Sequence, residues 1–519
     1  MITSVRERRT TVAAPRPAAP PARTWDAVDA AAVGLLAVTL SAAGAARPSL
    51  WFDEAATISA ATRSVPELLD MVRNIDAVHG LYYLLMHGWF AVFPATEFFS
   101  RFSSSLAVGL AAAGVVVLGR TVANRATGVI AGLVFAMLPK VTWAGMETRS
   151  YALTMAVAVW LTLLCVAAAR RGRLSWWALY AVLMAAAAVL NVFLVLMVPV
   201  HGVAVLAYAV PGRRRRILTA WLASAVAAAA AVAPFLLFTQ TQLFQVGWIY
   251  PLGTRTVGMV LQEQYFDHAT AFAPLAALVL AAGALSARRM DGSARRTVWL
   301  TLAWIALPTA TLLVYSAVRE PLYYPRYLSF TAPGFALLMG LCIVAAARSR
   351  AEIAVVLGVL ALAAAPNYLA QRGPYAKAGM DFSQVADVID RNAAPGDCLV
   401  LDNSTTWAPG PIRPLLAARP AVYEKLHDYG RGLTPVQRNR LWSSHVAVWA
   451  WADKMPDCPA LWTVTERDPT VPDRQRGPAL DPGPRLGRAM AYQVPGRFGF
   501  RVVERWQFSF AQVTKSVRP

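Results

Sequence analysis

Asp53 and Glu54 stand side by side behind the aromatic pair Trp51-Phe52, just after the first long apolar run of the chain. A carboxylate at a membrane border is costly to desolvate, so it stays hydrated, is paired, or serves a site. From these residues alone two readings are open: an acid that reaches a lipid-borne substrate, or the solvated start of a short amphipathic helix. Two further segments add complementary chemistry. Met146-Glu147-Thr148-Arg149-Ser150-Tyr151 sets a second acid beside a guanidinium, and the segment 319–327 sets Arg326 among Tyr323, Tyr324 and Tyr327. His79 and His87 lie between the first acid pair and the next span. Together these segments offer carboxylates to act as bases and guanidiniums to hold a phosphate through a planar fork. Plainer roles stand beside each: an interfacial ion pair for Glu147 and Arg149, an aromatic belt for the tyrosines, a snorkelling anchor for Arg326, a surface position for His87. All three segments fall on one predicted side of a membrane, which favours a shared site.

The elements that must position these residues are apolar helices. Of the 519 residues 57% are hydrophobic and 15% charged, with mean hydropathy +0.45. That is low charge for a soluble chain and ordinary for a polytopic membrane protein. The net charge of +20 raises nucleic acid as a partner until the basic residues are located. They cluster between apolar runs, the positive-inside pattern, which points to membrane lipids and not to nucleic acid. Runs of roughly 20 apolar residues occur near 27–46, 101–120, 126–145, 150–169, 174–191, 193–210, 217–238, 269–287, 297–317, 327–347 and 351–368, eleven in all. Up to residue 368, the segments assigned to the cytoplasm hold 20 arginines, among them Arg213 to Arg216, against 9 Lys and Arg on the other side. The N-terminus is therefore expected inside and, with an odd number of spans, the C-terminus outside.

Three regions follow. Residues 1–24, rich in Arg and Pro, read as a disordered cytoplasmic N-terminus. Residues 25–368 form the transmembrane module, whose first extracytoplasmic loop, 47–100, is long enough for structure: a surface helix over Val65–Ile75 and an interface-lying helix over His79–Phe93. Another outer loop, 239–268, carries Tyr250, Glu263, Tyr265, Asp267 and His268. Residues 369–519 read as an extracytoplasmic α/β domain, with a helix over Asp381–Asn392, a turn at 395–397, a buried strand at Cys398–Leu401, and a Pro/Gly/Arg-rich loop over 466–490. The four cysteines show no zinc spacing, so no metal site is assigned. Cys165 and Cys342 fall in apolar spans. Cys398 and Cys458 share the outer domain, where an oxidising compartment permits pairing, though spacing alone leaves their proximity open.

Taken together, the acid pair after the first span, His79-Gly80-Leu81-Tyr82-Tyr83-Leu84-Leu85, Arg101-Phe102-Ser103-Ser104, Glu147-Thr148-Arg149-Ser150-Tyr151 and Arg326-Tyr327 resemble bacterial protein O-mannosyltransferase-like membrane glycosyltransferases. These belong to the GT-C superfamily, which also includes the lipid A aminoarabinose transferases. The resemblance covers roughly residues 27–350, and Gly80-Leu81 departs from the paired prolines of many relatives. The Ala- and Arg-rich composition resembles that of an actinobacterial protein, such as a mycobacterial one. What it implies is a polyprenyl-phosphate sugar donor, most plainly a mannosyl one, with an arabinosyl donor as the alternative, and a lipid- or glycan-linked cell-envelope acceptor at the outer face of the plasma (inner) membrane. Asp53 matches the catalytic loop acid, Glu147 a second acidic or metal-associated position that leaves room for a divalent cation, and Arg326 a contact to the lipid phosphate. Glu54, His79, Arg149, Tyr151 and Tyr324 complete the expected substrate-binding set. A flippase of lipid-linked sugars is the rival from outside enzymology. Its ionisable groups belong near mid-membrane beside broken helices, whereas the acids here gather at one face.

Overall fold

The computed structural model describes residues 25–402 and 412–519; the expectation for residues 1–24 lies outside them. The first part of the chain runs through α1 (Trp25–Ala42), α2 (Phe52–Ala61), α3 (Val65–Val72), α4 (Gly80–Phe90) and α5 (Glu97–Val122). Among the described residues six helices are long and apolar enough to cross a membrane: 97–122, 151–171, 211–240, 292–318, 325–346 and 350–370. Five shorter apolar helices, over 27–42, 125–137, 174–190, 192–208 and 272–285, occupy the other expected runs. The long helices differ in setting. That over 325–346 is 89% buried within the bundle, whereas 350–370 is only 11% buried, so apolar side chains such as Leu362 and Val355 face outward.

Small residues let the inner helices close. Gly119 of α5 lies against Gly128 of the next helix, where an added Cβ would sit 2.4 Å from the Val116 carbonyl oxygen. Close backbone approach of this kind is how apolar helices associate without a hydrophobic driving force. Local signals set the ends: Thr96 caps α5 by accepting from the Phe99 amide at 3.4 Å, and Asn124 caps the following helix through the Thr127 amide at 2.9 Å.

The loop between α1 and α5 is compact. α3 begins where the Ser64 amide and hydroxyl both donate to Glu67 Oε2, at 3.1 and 2.8 Å, and α4 packs beside α2 and α3, with Tyr82, Tyr83, Leu68 and Met71 in a shared core. Beyond 370 the expected helix appears at Phe382–Asn392 and the expected strand as β1 (Cys398–Leu401). β2 (Leu461–Glu466), β3 (Arg474–Leu480), β4 (Arg501–Gln507) and β5 (Ala511–Val517) complete one sheet in the order β1-β2-β5-β4-β3. Only β1 and β2 are parallel. β3 corrects the reading of 466–490 as a loop throughout. It is an edge strand exposed on both faces, so no apolar alternation marks it, and the Gly477-Pro478 step lies where its register with β4 shifts. Cys398 and Cys458 form a disulfide, with Cα atoms 5.6 Å apart.

This C-terminal part is built onto the loop between α1 and α5. The Leu50 amide donates to Ser383 Oγ, the Ser383 amide donates to Ser49 Oγ, and the Ser49 amide donates to the Pro374 carbonyl. On the far face of α2, Ser59 Oγ donates to the Leu441 carbonyl at 2.6 Å and the rings of Phe52 and Trp442 lie 5.4 Å apart.

Candidate active site

Asp53 and Glu54 occupy the first turn of α2, entered through Trp51 in extended conformation. Unpaired amides and the helix dipole favour acids there. One turn cannot point both the same way, and their surroundings diverge. Glu54 is fully buried. Arg101 reaches it through two nitrogens, at 2.8 and 2.6 Å, and Thr148 donates its amide and hydroxyl at 3.1 and 3.2 Å. Arg101 spends its remaining donors on the carbonyls of Ala45, Pro48 and Ser49. Both Glu54 oxygens are thus occupied from within.

Asp53 faces Arg326 instead. Its Oδ2 lies 3.1 Å from Arg326 Nη1 and 4.0 Å from Arg149 Nε, with every side chain of the trio less than a sixth exposed. Charge brings the groups together without aligned hydrogen bonds. Asp53 Oδ2, Arg326 Nε and Arg149 Nε are buried atoms with no hydrogen-bond partner among the described residues. Buried polar capacity left unspent is uncommon and marks strain or a place for a ligand.

Arg149 is held from the other side. Its Nη1 donates to Tyr83 Oη at 3.1 Å and its Nη2 to His79 Nε2 at 2.8 Å. Because arginine has no acceptor, His79 Nε2 must be unprotonated. Burial, reinforced by Arg149 and Arg326, holds the His79 pKa well below the usual histidine value, in keeping with a neutral ring. Tyr83 Oη in turn donates to Asp76 Oδ2 at 2.6 Å, and burial raises the Asp76 pKa.

Aromatic rings wall the Arg326 guanidinium. Ring centres of Tyr324, Trp248, Trp51 and Tyr327 lie 5.0, 5.3, 5.7 and 6.0 Å from its central carbon, within the range of cation–π attraction. Tyr327 stacks on Phe193 and Trp248 meets Tyr324 edge-on. Tyr151 is buried against Trp143, with ring centres 5.5 Å apart.

Glu147 lies apart from the trio. Its Oε1 takes the Lys377 ammonium at 2.5 Å and its Oε2 accepts from Trp51 Nε1 at 3.0 Å. It pairs with Lys377 and not with Arg149. Burial raises its pKa against the pull of Lys377. His87 bonds the Ala61 carbonyl at 3.0 Å. Among the described residues no three His, Cys, Asp or Glu side chains converge. Asp53 already faces two guanidiniums, and Glu147 is spent on Lys377 and Trp51. These donor sets do not fit a divalent cation.

Of the expected residues, the structure brings Asp53, Arg326, Arg149, His79 and Tyr324 around one point and sets Glu54 and Glu147 behind them. Sequence reading omitted Trp51, Tyr83, Trp248 and Lys377 from the site. Trp51 and Tyr83 stood in quoted motifs, while Trp248 and Lys377 carried no local signal.

No protein-family model and no curated protein matches this sequence. Solved structures do. ArnT from Cupriavidus metallidurans bound to undecaprenyl phosphate is 15% identical over 95% of this chain and 98% of that one, with a TM-score of 0.55. The arabinofuranosyltransferase AftD from Mycobacteria is 18% identical over 96% of this chain but 40% of its own length, with a TM-score of 0.45. The Archaeoglobus fulgidus oligosaccharyltransferase tethered with an acceptor peptide is 12% identical over 85% of this chain and 69% of its own, with a TM-score of 0.44. The likeness to ArnT, which runs nearly end to end, shows that this chain shares its fold.

Proposed function

We propose that this chain is an inverting glycosyltransferase that moves a sugar from a polyprenyl-phosphate donor to a lipid- or glycan-linked cell-envelope acceptor. The reaction takes place at the extracytoplasmic face of the plasma membrane, in a chain that crosses it eleven times with its N-terminus inside. One observation carries the reading: a buried carboxylate oxygen and two buried guanidinium Nε groups with unspent hydrogen-bonding capacity meet beside the apolar bundle. Asp53 accepts the proton of the acceptor hydroxyl, and the freed oxygen attacks the anomeric carbon opposite the phosphate. The bond from that carbon to the phosphate oxygen breaks, and polyprenyl phosphate leaves with the electron pair. Arg326 and Arg149 stabilise the charge it carries away. His79, neutral and bound to Arg149, holds that guanidinium in place. Glu54 fixes the start of α2 through Arg101 and makes no approach to substrate. The aromatic wall of Tyr324, Trp248 and Trp51 gives the sugar apolar faces to lie on.

Within this class we take mannose as the sugar, on the motif resemblance alone. A panel of labelled polyprenyl-phosphate sugars, mannosyl and arabinosyl, incubated with purified protein and envelope extract decides between the two. Transfer by the native chain and none by Asp53→Asn supports the reading. Equal transfer by both ends it. Reporter fusions after residues 215 and 375 should lie on opposite sides of the membrane, and a cytoplasmic signal from 375 would move the site to the wrong face.

A further inference from the structure

Lys377 follows the last apolar helix by a few residues and is 3% exposed. An ammonium so buried, on a segment that leads away from the bundle, is costly unless something requires it there. Its partner is Glu147, fully buried, which it meets at 2.5 Å. The other oxygen of that carboxylate holds the indole N–H of Trp51 at 3.0 Å. Trp51 is the residue from which α2 starts, and its ring lies 5.7 Å from the Arg326 guanidinium. The links therefore run in series: Lys377 fixes the Glu147 carboxylate, Glu147 fixes the Trp51 ring, and Trp51 closes one wall around the cation that meets Asp53. The segment is anchored at both ends. Pro374 and Ser383 bond Ser49 and Leu50, and Asp381 accepts from the Phe510 and Ala511 amides at 2.7 Å each, within the outer sheet. Lys377 also lies 5.6 Å from the ring of Trp143, which packs against Tyr151.

We infer that Lys377 is a positioning residue for the donor phosphate site, acting through Glu147 and Trp51 on Arg326, so that the outer domain helps to set donor affinity. This deepens the glycosyltransferase reading and rests on it. It also gives Glu147 a role as an internal counter-ion rather than a second base.

Three variants test it: Trp51→Phe, which keeps a ring and loses the N–H; Lys377→Met; and Lys377→Met with Glu147→Gln, which removes both buried charges and guards against a folding failure. Two readouts are needed, the Kd for undecaprenyl phosphate by tryptophan quenching and the KM for donor against kcat in the transfer assay. For Trp51→Phe and the double variant the expected result is a rise of about tenfold in Kd and donor KM, the scale of a desolvated cation–π contact. In the double variant, acceptor KM and kcat should stay within about twofold. A folded double variant with native Kd and donor KM would overturn the inference, leaving Lys377 as a charge neutraliser. A kcat loss at constant donor KM would overturn it as well. Native protein that binds undecaprenyl phosphate but transfers no sugar would instead sink the transferase reading, while the Kd series still judges Lys377.

Discussion

On one side of α2 the Glu54 carboxylate receives two nitrogens of Arg101, an amide and a hydroxyl, and is sealed from solvent. On the other side Asp53 sits between Arg326 and Arg149 with an oxygen that no aligned donor reaches. Consecutive acids in one helical turn have thus been given opposite tasks. The saturated one can do no proton chemistry, since its lone pairs are taken; its return is to fix where α2 begins. The unsaturated one keeps capacity that folding did not use. The contrast teaches that the partner count around an acid, more than its burial, separates a carboxylate committed to the fold from one left open to a ligand.

The comparison breaks most sharply at Asp53. Asp53→Asn preserves shape and removes the proposed base, so transfer should fall by about 10²–10⁴-fold while expression and binding of undecaprenyl phosphate persist. Initial rates with saturating donor check it. The same exchange at Glu54 should fail differently, through loss of folded protein.

Arg101 probes the sealed side. Taking away one member of a buried pair typically costs about 3–5 kcal/mol, and Arg101→Met also strips the carbonyls of Ala45, Pro48 and Ser49 of their donors. Detergent-solubilised protein should unfold at markedly lower temperature or fail to accumulate. Near-native thermal stability would refute the division of labour between the two acids. On the open side, Arg326→Ala should weaken donor use by about 1.5–3 kcal/mol, the range for a charge-assisted hydrogen bond. Lysine should restore part of this only, because it lacks the planar fork. Donor KM for the two variants is the measurement.

How much of this was legible beforehand follows the same divide. The apolar runs announced the bundle, because roughly 20 apolar residues have few other uses. Yet four of the eleven resolve into helices, over 125–137, 174–190, 192–208 and 272–285, too short to count as spans by length, since run length does not fix where a helix ends. Asp53, Arg149 and Arg326 were visible as charged residues beside apolar runs, and their convergence rests on one shared predicted side. The pairings were not visible. Glu147 stands two residues from Arg149 yet bonds Lys377, 230 residues away, and a lone lysine after a last span reads as a solvated residue. Arg101 stands in one of the resembling motifs and counts among the outer-side charges, but nothing local shows that its five contacts converge. β3 was hidden because an edge strand exposed on both faces carries no period of two.

The smallest expected effect concerns His79, on the open side. Its folded-state pKa is depressed by burial first and by Arg149 and Arg326 next, while the unfolded chain titrates near 6.5. Below about pH 6.5 the unfolded state takes up a proton that the folded state refuses, so stability falls as pH drops and is fully present above that value. The slope attributable to this ring is at most about 1.4 kcal/mol per pH unit. Asp76, reached through Tyr83 and Arg149, has a raised pKa and acts in the opposite sense, gaining a proton in the folded state as pH falls. The comparison must therefore be between native protein and His79→Gln, which keeps an acceptor for Arg149 and cannot titrate. Thermal unfolding from pH 7.5 to 5 (about the span in which an ordinary histidine titrates) should show the native curve falling more steeply than that of the variant. Parallel curves would mean that His79 carries a proton in the folded state, and the hydrogen bond from Arg149 would have to be abandoned.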